Sequence, residues 1–239
     1  MKKLTVTLAA AASVLAFAGA AGAAPVVTNG TIPGGTAAFD ATVAGANGVV
    51  VLDALSGLNQ ASSWDRGAYT ISSTDGSTRS IDSGYIPSGD AVGISPYAPA
   101  GSSGLTFTFD TPINAFGLEI GDWATCCYTS NLYIAFDGGS VNLVASANDA
   151  FDNPGNAANL GFLNFIGAFD TSSTFSTVTF YGDGFGEYLV AGGTIRYATL
   201  DIGSVGGVPE PATWAMMIIG FGGAGAMLRR RRGVLTLAA

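Results

Sequence analysis

The sequence predicts an all-β protein whose central part is an antiparallel β-sandwich of the jelly-roll type. Short segments in which apolar and polar residues alternate recur along the chain, and residues 105–109 (LTFTF) are the clearest example. This period of two is typical of strands with one buried face. Clusters of Gly, Ser, Asn and Asp separate the segments, as turns separate short antiparallel strands. No sustained helical period occurs between residues 24 and 208, although residues 44–58 are compatible with one short helix.

The alternating segments place the strands in order along the chain. They are predicted at residues 49–52, 69–72, 105–109, 115–120, 132–136, 141–143, 161–168, 175–181 and 194–202. The sequence Asp137-Gly138-Gly139-Ser140 has the composition of a tight turn, so the strands on either side of it are predicted to form a hairpin.

The N-terminal residues 1–23 have the pattern of a secretory signal peptide. Lys2 and Lys3 supply the positive start, an apolar stretch follows, and Ala21-Gly22-Ala23 is a small-residue cleavage site. We therefore expect signal peptidase to cut after Ala23. The exported domain is predicted to span residues 24–202, followed by a flexible Gly-rich linker at residues 203–208.

The C-terminal part has the pattern of a membrane stop. Residues 212–228 are seventeen uncharged, largely apolar residues, which is near the lower limit for a helix that crosses a bilayer. Four arginines follow at Arg229, Arg230, Arg231 and Arg232. Because arginine blocks stay on the cytoplasmic side, the domain is predicted to face outwards and residues 233–239 to form a cytoplasmic tail.

The stretch that contains this helix resembles a PEP-CTERM sorting signal of Gram-negative bacteria, in its PEPxxWA form. The matching positions are Pro209, Glu210, Pro211, Trp214, Ala215, Met216 and Met217, with the arginine cluster behind them. The resemblance implies that an exosortase-type protease processes residues 209–232. It also implies an inner-membrane intermediate and a final place at the cell surface or in an extracellular matrix, often one of exopolysaccharide.

Composition excludes several classes of function. Residues 24–208 contain three arginines, no lysine and sixteen acidic residues, a net charge of −13. Nucleic acid is therefore not an expected partner, because its binding depends on neutralising phosphates. The chain contains no histidine, which excludes Ser-His-Asp and Cys-His catalysis and the usual catalytic zinc sites. No catalytic residue is assigned.

The only two cysteines, Cys126 and Cys127, are adjacent. In an oxidising compartment they can form a strained vicinal disulfide, remain reduced or bond to another chain. Trp123 and Tyr128 flank the pair. Each is either a core aromatic residue or a ligand contact that stacks on a sugar ring.

A calcium site is a further hypothesis. Asp149, Asp152 and Asn153 lie together in one loop, and hard oxygen ligands suit Ca²⁺. The spacing matches no EF-hand, and Asp and Asn are also common turn residues.

These observations predict an envelope protein with a structural or adhesive role that is not an enzyme. One alternative is a carbohydrate-binding module, with or without calcium. Residues 114–136 and 162–202 loosely resemble β-sandwich domains that precede such sorting tails, which suggests this alternative by analogy. A second alternative is a glycoside hydrolase that uses two carboxylates, with Glu119, Glu187 and Asp122 as candidates.

Overall fold

Two antiparallel sheets packed face to face form the protein in a computed structural model, which describes residues 25–95, 103–125, 129–183, 188–205 and 220–221. This arrangement confirms the predicted antiparallel β-sandwich. The strands, in chain order, are β1 (Val26–Thr31), β2 (Val51–Ala54), β3 (Ser63–Asp65), β4 (Tyr69–Ser73), β5 (Ala91–Ile94), β6 (Gly104–Ile113), β7 (Ala115–Gly121), β8 (Ser130–Phe136), β9 (Val141–Ala147), β10 (Leu163–Phe169), β11 (Phe175–Asp183) and β12 (Leu189–Ala198).

Each sheet has six strands. The first sheet has the order β1-β10-β7-β12-β2, with β5 also paired to β12, and the second has the order β3-β4-β6-β11-β8-β9. From β5 onwards the chain passes from one sheet to the other at every connection except the β8–β9 hairpin. This alternation between layers is the jelly-roll character that the sequence predicts.

The core lies between the sheets, where the alternation in sequence becomes an alternation of faces. In β6, Leu105, Phe107 and Phe109 are buried in the core, whereas Thr106 and Thr108 point outwards. The same alternation holds in β11, where Val178 and Phe180 are completely buried. The segments with period two are thus the strands with one face on the core, as expected.

One long helix, α1 (Ile32–Gly45), covers the outer face of the first sheet. Thr31 caps it by accepting a hydrogen bond from the backbone N–H of Gly34 at 3.1 Å. Phe39 anchors it, with ring centroids 5.7 Å from Phe165 and 4.8 Å from Phe169. A second helix of a single turn, α2 (Pro154–Ala157), lies near β1 and β10.

The short helix predicted at residues 44–58 is wrong. Residues 51–54 form β2, because Val51 and its neighbours pair with β12 at the edge of the first sheet. The helix lies instead at residues 32–45, where three glycines lower the intrinsic helix propensity and hide the pattern.

The two ends of the sandwich differ. At the proximal end, Val26 pairs with Phe169, and Val205 accepts a hydrogen bond from the Thr171 hydroxyl at 2.9 Å. At the opposite, distal end, Leu163 pairs with Gly121. The strand ends that flank residues 96–102, 126–128 and 184–187 also lie at the distal end. The chain therefore enters and leaves the domain at one end and groups several connections at the other.

The predicted linker begins as part of the domain. The Gly203 backbone N–H donates to Thr171 O at 2.8 Å, and Val205 packs against the cluster around Phe39. Residues 203–205 thus contact the domain, and the flexibility predicted for residues 203–208 stays a prediction.

The signal peptide and nearly all of the sorting tail lie outside the described residues, so the predicted cleavage site after Ala23 and the predicted membrane helix at residues 212–228 stay predictions. Within the described part of the chain, no helix is both long enough and apolar enough to cross a membrane.

Candidate functional site

The outer face of the second sheet is lined mainly by hydroxyl and aromatic side chains. The two described helices pack on β1, β7 and β10 of the first sheet, so neither covers this surface. We call it the open face. Its members, from β4 across to β9, include Thr70, Ser72, Thr106, Thr108, Thr177, Thr179, Tyr181, Tyr133, Ala135, Val141 and Leu143.

Strand register arranges the hydroxyl groups in a row across the sheet. Ser72 lies opposite Thr106, and Thr106 lies opposite Thr179. The hydroxyl oxygens of Thr106 and Thr179 are 3.1 Å apart and share a hydrogen bond. The row continues through Ala135 to Val141, which is 55% exposed.

A parallel row closer to the distal end is aromatic and apolar. Tyr181 lies opposite Tyr133, and their rings stack with centroids 5.3 Å apart and planes at 23°. Tyr181 is buried, whereas Tyr133 is half-buried and lies opposite Leu143, which is 53% exposed. On the far side of Tyr181 is Gly104, where a Cβ atom would lie 2.6 Å from the Cβ of Tyr181. The glycine therefore allows Tyr181 to lie close to β6.

None of these open-face side chains is charged. Adjacent acids lie at its borders: Asp65 on β3, Asp110 near the end of β6 and Asp137 in the proximal turn after β8. Asp137 is engaged there, because its Oδ1 accepts hydrogen bonds from the backbone N–H groups of Ser176 and Thr177 at 2.9 and 2.8 Å. An uncharged surface on so acidic a domain suits an uncharged ligand.

A separate, concave feature, the distal cleft, lies between the loop at residues 84–87 and the loop at residues 160–163. It has a volume of about 380 Å³ and is lined by Gly84, Tyr85, Ile86, Pro87, Asp122, Gly161, Phe162 and Leu163. An adjoining apolar cleft of about 340 Å³ is lined by Ile32, Pro33, Pro87, Leu160 and Leu163.

Asp122 is the only carboxyl group in this lining. Its backbone has a φ of 61°, and its N–H donates to Phe162 O at 3.1 Å. Burial raises the pKa of Asp122, and a hydrogen bond with the Thr125 side chain opposes that rise. A single carboxylate does not supply the acid and base pair that glycoside hydrolysis needs.

Glu119 lies on the helix-covered face of the first sheet, and its side chain is only 5% exposed. Arg196 is its charged neighbour, with Nη1 4.0 Å from Glu119 Oε1, and also pairs with Asp40 of α1 through Nε at 3.2 Å. Burial raises the pKa of Glu119, while the charge of Arg196 acts in the opposite direction. A carboxyl group buried in this way is not accessible to a polysaccharide, and Glu187 lies outside the described residues.

Trp123 belongs to the core. It is completely buried, and its indole N–H donates to the Ser130 hydroxyl at 2.9 Å. The prediction of Trp123 as a ligand contact is therefore wrong, and the alternative of a core aromatic residue holds. Cys126, Cys127 and Tyr128 lie outside the described residues, so their predicted roles stay predictions.

The three predicted calcium ligands cap their own loop. Asp149 accepts from the Phe151 N–H at 2.8 Å, and Asp152 accepts from the Asn148 N–H at 2.8 Å. Asn153 is completely buried, and its amide donates to Trp123 O at 2.6 Å. Within the described part of the chain, no three His, Cys, Asp or Glu side chains lie close enough together to hold a metal ion.

Comparison with known proteins identifies the tail. Residues 207–232 match the family model described as the PEP-CTERM protein-sorting motif. This match confirms the resemblance seen in the sequence and supports an exported protein that is sorted through this tail. Comparison with the curated proteins gives no match.

The domain is similar in fold to solved carbohydrate-binding modules. A variant of a family 29 module is 9% identical, with a TM-score of 0.37 over 68% of this chain and 99% of that one. Another family 29 module is 9% identical, with a TM-score of 0.35 over 69% of this chain and 97% of that one. A family 32 module of a glycoside hydrolase from Clostridium perfringens is 15% identical, with a TM-score of 0.26 over 62% of this chain and 91% of that one. Similarity at this level does not bear on what the domain binds.

Proposed function

We propose that this is an envelope protein that an exosortase-type protease processes at its tail, with a structural or adhesive role in the surface layer or exopolysaccharide matrix of a Gram-negative bacterium. The match of residues 207–232 to the sorting motif carries this proposal. The signal peptide and the apolar run at residues 212–228 are the segments that would bring the chain through and into the membrane before processing.

The position of the chain ends supports an outward-facing domain. Val205 is held at the proximal end, two residues before the motif begins at residue 207. A tail that leaves from this end would hold the proximal end near the membrane. The distal cleft would then point away from the membrane, and the open face would lie along the side of the molecule.

A second candidate role is that of a carbohydrate-binding module. The open face favours it, because a row of hydroxyl groups and a tyrosine ring on an uncharged surface offer hydrogen bonds and an apolar contact together. Binding of this kind would be one physical basis for adhesion to a polysaccharide matrix.

The sorting proposal is tested by fractionating native host cells and measuring the intact mass of the protein. We expect a mature mass that ends near residues 209–211, in a fraction outside the inner membrane. Replacing Pro209, Glu210 and Pro211 with alanine should leave an unprocessed chain in the inner membrane. The matched control replaces residues 233–235, which lie beyond the matched motif, and should be processed normally.

Two results would contradict this proposal. In one, the wild-type protein keeps Arg229 to Arg232 and remains in the inner membrane. In the other, the triple alanine variant is processed like the wild type.

A further inference from the structure

We propose that the open face binds an extended, uncharged polysaccharide, with the chain running across the strands from β4 towards β9. This inference rests on the proposed matrix role and assigns it to particular residues. It depends on three observations: the two parallel rows, the absence of charge among the described side chains of the face, and the position of this face relative to the chain ends.

The dimensions fit a polymer better than a single sugar. The hydroxyl row crosses β4, β6, β11, β8 and β9, and five strands at about 4.8 Å spacing extend over roughly 19 Å, whereas the apolar row crosses the last four of these strands. Neighbouring rows on one face are two residues apart, or about 6.7 Å. The surface is therefore long and narrow, with the proportions of several linked sugar rings.

The two rows offer different chemistry side by side. Tyr133 and Leu143 form the exposed part of the apolar row, and Thr106 and Thr179 form the centre of the hydroxyl row. A sugar ring also has two kinds of surface, because C–H groups form its faces and hydroxyl groups form its rim. A chain lying along the apolar row would pack ring faces against Leu143 and the exposed part of Tyr133, and would place its hydroxyl rim over the threonines.

Charge selects among polysaccharides. An acidic domain with a net charge of −13 repels anionic polymers, and the open face presents no lysine or arginine that would reverse this. Cationic polymers would be drawn to the acids elsewhere on the surface, without selecting this face. The ligand class that fits the open face is therefore neutral.

The hydroxyl groups keep binding capacity after their internal contacts. The hydrogen bond between Thr106 and Thr179 uses one donor and one acceptor position, and each hydroxyl has one donor and two acceptor sites. Both residues are half-buried on a regular strand, which fixes their side-chain directions before a ligand arrives. Preorganisation of this kind lowers the entropy that binding would otherwise lose.

The test measures retention of the purified exported protein in affinity gels. The gels contain hydroxyethylcellulose, galactomannan, glucomannan or laminarin as neutral probes, and alginate as the anionic counterpart. We expect retention by at least one neutral probe and not by alginate. Tyr133→Ala should weaken the retained binding about tenfold, the loss expected for one aromatic stacking contact.

Two further variants guard against a folding artefact. Thr106→Val with Thr179→Val removes two hydroxyls while keeping the β-branched shape, and should also weaken binding about tenfold. Leu143→Glu places a charge on an exposed position without touching the core and should abolish retention. Tyr85→Ala is the matched control, because it removes an exposed tyrosine from the distal cleft and should leave retention unchanged.

The outcomes separate this inference from the sorting proposal. The inference is overturned if no neutral probe retains the wild type, if the three open-face variants bind as the wild type does, or if only Tyr85→Ala loses binding. It is also overturned if size-exclusion chromatography shows a dimer that Leu143→Glu disrupts, because a second copy would then occupy this face. None of these results would alter the processing of the tail, which fractionation measures independently.

Discussion

Gly193 on β12 should tolerate a side chain poorly, and Gly193→Ala tests how tightly Glu119 is packed. Gly193 has a φ of 67°, at a point where the pairing of β12 with β7 shifts register. An added methyl group would collide with the carboxylate of Glu119 and come within 2.9 Å of the Glu119 Cβ. Backbone groups fix the position, since Gly193 N–H donates to Asp90 O and Gly193 O accepts from Leu55 N–H, both at 2.9 Å.

The expected magnitude has two parts. An alanine held in the left-handed region costs about 1–2 kcal/mol. Crowding a packed site costs about 1–3 kcal/mol more. Gly203→Ala is the matched control, because Gly203 has a φ of 76° and no atom within 4 Å of its added Cβ. The free energy of unfolding should therefore fall by about 2–5 kcal/mol for Gly193→Ala and by only about 1–2 kcal/mol for Gly203→Ala.

Urea denaturation followed by near-UV circular dichroism measures both values, since Trp123 and Trp64 are buried in the core. A double-mutant cycle then isolates the collision. In a Glu119→Ala background, Gly193→Ala should destabilise less than it does in the wild type, because the carboxylate is gone and only the contact with the Cβ of residue 119 remains. The reasoning is refuted if Gly193→Ala costs no more than the control in the wild type, or if its full cost persists in that background.

Two further predictions concern titration and metal. Burial raises the pKa of Glu119, so its ionised form is less favourable in the folded chain than in the unfolded chain. Its contribution to stability is then largest when it is protonated and falls as the pH rises above the ordinary value of 4.5. Urea midpoints between pH 4 and 8 should decline less for Glu119→Gln than for the wild type, and parallel profiles would disprove this. Because Asp149, Asp152 and Asn153 already cap their own loop, EGTA should leave the melting temperature unchanged. A fall that added calcium reverses would instead restore the calcium hypothesis.

The strands that the sequence predicts well are those with one face on the core. Residues 105–109 and 175–181 alternate because β6 and β11 lie between a packed interior and an open exterior. β5 was missed because Ala91–Ile94 is buried on both faces and does not alternate. β1 was missed because its Asn-Gly pair is also typical of a turn.

The open face could be predicted only in part. The threonines of LTFTF indicate an outward hydroxyl row, but the sequence does not show which outer face a helix covers. The covered face depends on where α1 packs. The glycines of α1 hide its helical pattern in the sequence, and its position is set by the contacts of Phe39 with Phe165 and Phe169, which are distant along the chain. Trp123 illustrates the same limit, because its burial follows from Ser130 and Asn153, which approach it only in the folded chain.

The pairing of β1 with β10 has a kinetic consequence for export. Thr28 of β1 lies beside Gly167 of β10, which is 139 positions later in the chain. In the same way, β2 pairs with β12, the last strand of the domain. A chain that emerges from a membrane with its N-terminus first would expose β1 and β2 unpaired long before their partner strands appear. Such non-local pairing makes folding slow. The topology would thus delay closure of the first sheet until nearly the whole domain had been translocated. Until then the chain would remain unfolded enough to pass through the membrane.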